Sequence, residues 1–147
     1  MKKYIIIICI ILFMGIIYLF SNLKGEVSDR QSIGILDRVI LLFDKNISDE
    51  DREELSLKLN YPLRKLAHIV EYFILCLLVC LLFHNLGYNM WKVILITFMI
   101  SFIFACGDEI HQLFVKDRYG CFFDVLVDTV GIILFLIIYY FKERRKV

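Results

Sequence analysis

The chain alternates between long apolar runs and polar stretches with sharp boundaries. Residues 4–20 carry no charge, residues 21–65 carry seventeen, and the last six residues carry five. Tyr4–Phe20 is long enough to cross a bilayer with help from its flanks, since a spanning helix needs about 20 residues. Three further apolar runs predict spans over about 66–86, 91–113 and 122–141. The expected fold is all-α: an integral membrane helical bundle with four transmembrane helices and a short helical loop domain, 21–65, after the first span.

Local signals place the helix ends. Lys2 and Lys3 precede the first run as in a signal sequence, but the bulky stretch after it offers no small-x-small cleavage site, so it reads as an uncleaved anchor. Ser28-Asp-Arg-Gln31 and Ser48-Asp-Glu-Asp51 both have the capping-box pattern. They predict a helix from Ser28 to about Phe43, with Ile33, Leu36, Ile40 and Phe43 on one side, and a short acidic helix to about Leu59. Pro62 suits the first turn of the next helix, where its missing N–H costs nothing. Gly87 stops that helix, and Asn89 caps another that runs to about Phe114. The turn 115–120 then leads into a last helix, about Cys121 to Phe141.

Composition agrees with a membrane protein. Sixty per cent of the residues are hydrophobic, above the 45–50% or so of soluble domains. Seventeen basic residues nearly cancel sixteen acidic ones, which gives no footprint for nucleic acid. Basic residues flank the chain ends and Lys92 sits in the turn between the second and third spans, so both termini are expected in the cytoplasm. The long loop opposite has eight basic residues against nine acidic.

The charges that remain near the spans converge. Arg64, Lys65, His68, Glu71 and Tyr72 open the second span; Asp108, Glu109, His111 and Gln112 close the third; Arg118, Asp124 and Asp128 surround the start of the fourth. All three points lie in one leaflet. Arg64, His68, Glu71 and Tyr72 share one helical face, Asp108, His111 and Gln112 a second, and Asp124, Asp128 and Gly131 a third. Gly131 would let a neighbouring helix approach closely. A central Asp or Arg costs roughly 2.5–3.5 kcal/mol on insertion scales, so several carboxylates in one leaflet point to a functional site.

These same residues carry a resemblance. Arg64-Lys-Leu-Ala-His68-Ile-Val-Glu71-Tyr72, Asp108-Glu-Ile-His-Gln112-Leu-Phe114 and Arg118-Tyr-Gly-Cys-Phe-Phe-Asp124-Val-Leu-Val-Asp128-Thr-Val-Gly131 are similar to the polar motifs of the VanZ-like family of bacterial membrane proteins. Ser28 and Ser32 are similar to serines often seen there. Where the family often has Pro or Gly before the motif arginine, this chain has Lys116-Asp117. The resemblance covers nearly the whole chain as one domain. It implies a bacterial cytoplasmic membrane and a role in low-level resistance to teicoplanin-type glycopeptides, with no settled chemistry.

Three classes of mechanism fit the residues. The first is binding or transport of an anionic envelope component, such as a lipid-linked cell-wall precursor, or of a glycopeptide. Arg64, Lys65, Lys116 and Arg118 would meet its phosphate or carboxylate, and a proton relay through intramembrane acids belongs beside it. The second is an intramembrane enzyme. His68-x-x-Glu71 and Asp108-x-x-His111 are candidate metal-ligating pairs, like those of bundle metal sites, or could do general acid–base work. The third is a structural or accessory subunit, in which Glu71 or Asp128 pairs with Arg64 and Asp124 with Arg118. The cysteines read as small apolar residues, with Cys106 and Cys121 near enough in depth to pair. His84 reads as interfacial on the other side, and Trp91 and Tyr139–Tyr140 as an aromatic belt.

Overall fold

A computed structural model describes residues 2–118 and 120–145 of the chain. Tyr119 of the third motif and Lys146 of the basic tail lie outside the described residues. The elements are α1 (Lys2–Ser21), α2 (Gly25–Phe43), α3 (Asp49–Asn85), α4 (Met90–Gln112) and α5 (Phe122–Arg144), with no strand among the described residues. Helices α1, α3, α4 and α5 are long and apolar enough to cross a membrane. The bundle is all-α with four such helices, as the hydrophobic runs predict.

Two predicted boundaries move. The helix expected from Ser28 begins at Gly25, and its cap position, Lys24, has no side-chain cap bond. Tertiary contact explains the shift. The backbone of the turn after α4 docks here: Gly25 N–H donates to the Lys116 carbonyl at 3.3 Å. A Cβ on residue 25 would stand only 1.9 Å from the Asp117 carbonyl oxygen. Ser28 therefore lies one turn inside α2, where Ser32 Oγ bonds its carbonyl at 2.9 Å. Leu36 and Ile40 are buried as expected, whereas Phe43 is 89% exposed.

The second shift is at Pro62. The acidic helix and the second span form one helix of 37 residues with Pro62 inside it. At about 1.5 Å per residue it extends roughly 56 Å, well beyond a hydrocarbon core of about 30 Å. A mid-helix proline removes one backbone hydrogen bond. Side-chain bonds to α2 on either side of it hold the helix: Ser56 Oγ donates to Asp37 at 2.5 Å, Asn60 Nδ2 to Asp29 at 3.0 Å, and Arg64 to Asp29 at 2.6 Å.

The other caps form as the sequence indicates. Ser48 Oγ accepts from Asp51 N–H at 3.1 Å, and Asn89 Oδ1 from Lys92 N–H at 3.0 Å. Gly87 ends α3 in the left-handed region at φ 79°, while Tyr88 N–H reaches back to the Phe83 carbonyl. The core lies between α3, α4 and α5 around Tyr72, Leu75, Val79, Val93, Ala105, Ile132 and Phe135. Helix α1 adds Ile10 and Ile17 to it. All five cysteines are free, so Cys106 and Cys121 do not pair. Tyr139 turns inward from the expected aromatic belt and meets His84 Nδ1 at 3.1 Å, while Trp91 stays exposed.

Candidate functional site

The site begins at the crossing of α3 and α5. Residue 131 must be glycine there, because a Cβ would lie 2.1 Å from the Ile69 carbonyl oxygen. Such close approach sets the register of two parallel helices. One turn before Gly131, Asp128 Oδ1 meets His68 Nδ1 at 3.3 Å. A further turn back, Asp124 pairs with Lys65. Lys65 also lies over the Tyr61 ring, 5.0 Å from its centroid.

Asp128 is fully buried, and neither of its carboxylate oxygens has a hydrogen-bond partner among the described residues. Its titratable neighbour across the crossing is the imidazole of His68, which also lies 4.0 Å from Glu71 Oε2. An imidazole with Nδ1 toward a buried carboxylate leaves its Nε2 edge for whatever occupies the space in front.

That space is a cavity of about 270 Å³. His68, Glu71 and Arg64 line it from α3, Ser28, Gln31 and Ser32 from α2, and Asp108 from α4; Arg118 and the C-terminal turn of α1 complete the wall. Buried Ser21 Oγ in this wall has no partner among the described residues. Apolar Ile17, Leu63 and Ala67 fill the remainder.

Arg118 holds the cavity together. Its Nε donates to the Leu23 carbonyl and its Nη2 to the Phe20 carbonyl, both at 2.9 Å. These carbonyls lie at and beyond the end of α1, where a cation is favoured. Burial, then the like charge of Arg64, pulls the Arg118 pKa below the usual arginine value, against the opposing pull of Asp108, Glu109 and Asp29. Arginine stays protonated through such shifts. Its charge is thus spent on neutral carbonyls rather than on a contacting carboxylate among the described residues. Asp117 just before it adopts φ 59°, the left-handed region that glycine favours and aspartate tolerates.

Of the twelve residues singled out from the sequence, Arg64, His68, Glu71, Asp108 and Arg118 face the cavity. Asp128 stands behind His68, and the Lys65–Asp124 pair one turn away. Tyr72 is wholly buried, with its hydroxyl unpartnered among the described residues. Gln112 donates to Asp108 at 3.1 Å. Glu109 accepts the Cys121 N–H at 3.0 Å, which ties the end of α4 to the start of α5. His111 turns away and stacks on Tyr18, with ring centroids 4.6 Å apart.

The ion pairs differ from those the sequence suggests. Arg64 pairs with Asp29, not Glu71 or Asp128, and Asp124 pairs with Lys65, not Arg118. Asp29 and Ser21 precede the second span in sequence, and only the packing of α2 and of α1 against α3 brings them near the site. Of the candidate metal pairs, His68 and Glu71 face the cavity while His111 does not. No three His, Cys, Asp or Glu residues among the described residues are grouped so as to hold a metal ion.

A family profile described as VanZ/LLP1 matches residues 6–143. An uncharacterized membrane protein of Bacillus subtilis strain 168, YwnJ, is 52% identical over 46 residues, which cover 31% of this chain and 32% of that protein. No solved structure matches.

Proposed function

The chain belongs to the VanZ/LLP1 family, and on that premise we propose that its cavity binds an anionic cell-envelope component. The location is the bacterial cytoplasmic membrane, with both termini in the cytoplasm and the cavity facing outward. The biological role is the one the family resemblance implies, low-level resistance to teicoplanin-type glycopeptides. The supporting observation is the convergence of Arg64 and Arg118 on one cavity, with Arg118 contacting carbonyls instead of a carboxylate. Guanidinium groups suit phosphate or carboxylate through paired hydrogen bonds. Glu71 and Asp108, which line the same cavity, would accept hydrogen bonds from hydroxyl or amine groups of the same ligand. A lipid-linked cell-wall precursor carries both kinds of group, and so does a glycopeptide. The test is glycopeptide susceptibility of a host expressing the wild type beside Arg64→Gln. The wild type lowers susceptibility, and Arg64→Gln at equal abundance loses that effect.

One arrangement favours an enzymatic reading as the alternative. His68 faces the cavity with its Nδ1 3.3 Å from buried Asp128, an arrangement suited to a carboxylate-oriented general base. Such an enzyme would act on a lipid-linked or phosphate-bearing envelope substrate. His68→Gln separates the two readings: retained ligand binding with lost resistance supports catalysis, and loss of both together supports binding alone.

A further inference from the structure

A second void lies on the other side of α1. Between α1 and α4 runs a groove of about 450 Å³, lined by Met14, Tyr18, Ile100, Ile103, Phe104 and Gly107, with Asp108 and His111. It extends from Ile100 to His111, roughly 16 Å of α4 at about 1.5 Å per residue. Its walls are apolar for most of that length. The space in front of Gly107 is open, since a Cβ there would meet nothing within 4 Å. Ile103 is 61% exposed and Tyr18 49%, so the groove opens outward from the bundle. These residues sit in two candidate spans, and that direction is the bilayer.

The groove and the polar cavity meet at Asp108, which is the one described residue to line both. At the groove's outer end, the stack of His111 on Tyr18 leaves the buried His111 Nε2 without a partner among the described residues. An apolar channel that joins a site holding two arginines through one polar residue fits an amphiphile, with its charge in the cavity and its chain in the groove. Hydrocarbon is also what the bilayer offers to fill such a space.

We propose that the ligand is an anionic lipid: its phosphate lies between Arg64 and Arg118, and its hydrocarbon chain lies in the α1–α4 groove. This rests on the anion-binding reading and adds to it that the chain is recognised along with the head. A soluble glycopeptide or a free phosphate would leave the groove unused.

The test uses the full-length protein in nanodiscs of zwitterionic lipid. Dodecyl phosphate carrying a diazirine in its chain is compared with butyl phosphate and with the same diazirine chain as an uncharged alcohol. The expected result is binding of dodecyl phosphate more than tenfold tighter than butyl phosphate. Photolysis then labels Met14, Ile103 or Gly107, and labelling by the alcohol is several-fold weaker. Gly107→Phe and Ile103→Trp, which fill the groove from two positions, each remove most of the tenfold advantage. Equal affinity for the two phosphates overturns the inference while the anion site stands. Equal labelling by the alcohol also overturns it, since bulk hydrocarbon then suffices. A dimer that Gly107→Phe dissociates overturns it in favour of a second copy in the groove. Failure of both phosphates to bind removes the anion-binding reading itself.

Discussion

His68 Nδ1 lies 3.3 Å from Asp128 Oδ1, beside the point where Gly131 brings α5 against the backbone of α3. The pair couples the cavity wall to the helix crossing behind it. Leaving a buried polar group without its partner costs about 1–3 kcal/mol, and more for a charged one. His68→Ala should therefore lower stability by that order, and Asp128→Asn in the same chain should restore much of it. Thermal unfolding of both single variants and the double variant in detergent gives the coupling. Additive effects would mean that the two side chains do not interact.

The crossing itself is sensitive to volume. Gly131→Ala places a Cβ where the Ile69 carbonyl already lies, so the helices must separate or shift. The cost is of the overpacking kind, about 1–3 kcal/mol or more, and Gly131→Leu should prevent accumulation. Gly15→Ala is the control, since a Cβ there meets nothing within 4 Å. Comparable thermal stability for Gly131→Ala and Gly15→Ala would contradict the crossing.

Asp117 offers an opposite test. Its left-handed φ of 59° is a conformation that glycine adopts without steric cost. Asp117→Gly should keep or raise the unfolding temperature, whereas Asp117→Val should lower stability by about 1–2 kcal/mol. A valine variant as stable as the wild type would show that the turn rearranges freely.

These three sites also mark how far the sequence could be read. The spans are legible because long, predominantly apolar stretches, unbroken only in the first span, are what a bilayer crossing needs. Ser48, Asn89 and Gly87 were legible because capping is local chemistry. Gly131 was read as a place of close approach, and it is one. Pro62 misled, because its local preference for a first turn was overridden by bonds that Ser56, Asn60 and Arg64 make with α2. Partners were the hardest to foresee. Arg64 and Asp29 are 35 residues apart, and the pair exists only because α2 folds back along α3. His111 shares a helical face with Asp108 in spacing, yet its ring packs on Tyr18 of α1 in the groove beside the cavity rather than in the cavity.

Orientation follows from basic flanks and has its own check. In a cysteine-free background, single cysteines replacing Ser48 and Lys116 should react with an impermeant maleimide on intact cells. One replacing Arg145 should react only after permeabilisation. The reverse pattern would put the cavity on the cytoplasmic side.

The central claim, that the cavity is the working part of the molecule, is tested most directly at Glu71. Its carboxylate faces the cavity and lies 4.0 Å from His68, and Glu71→Gln keeps its size while removing its charge. The measurement is the teicoplanin susceptibility of a host expressing the variant, read beside its membrane abundance and its unfolding temperature. The account predicts near wild-type abundance and stability with the susceptibility of an empty-vector control. A variant that accumulates normally and protects as well as the wild type would contradict it, as would a wild-type chain that gives no protection.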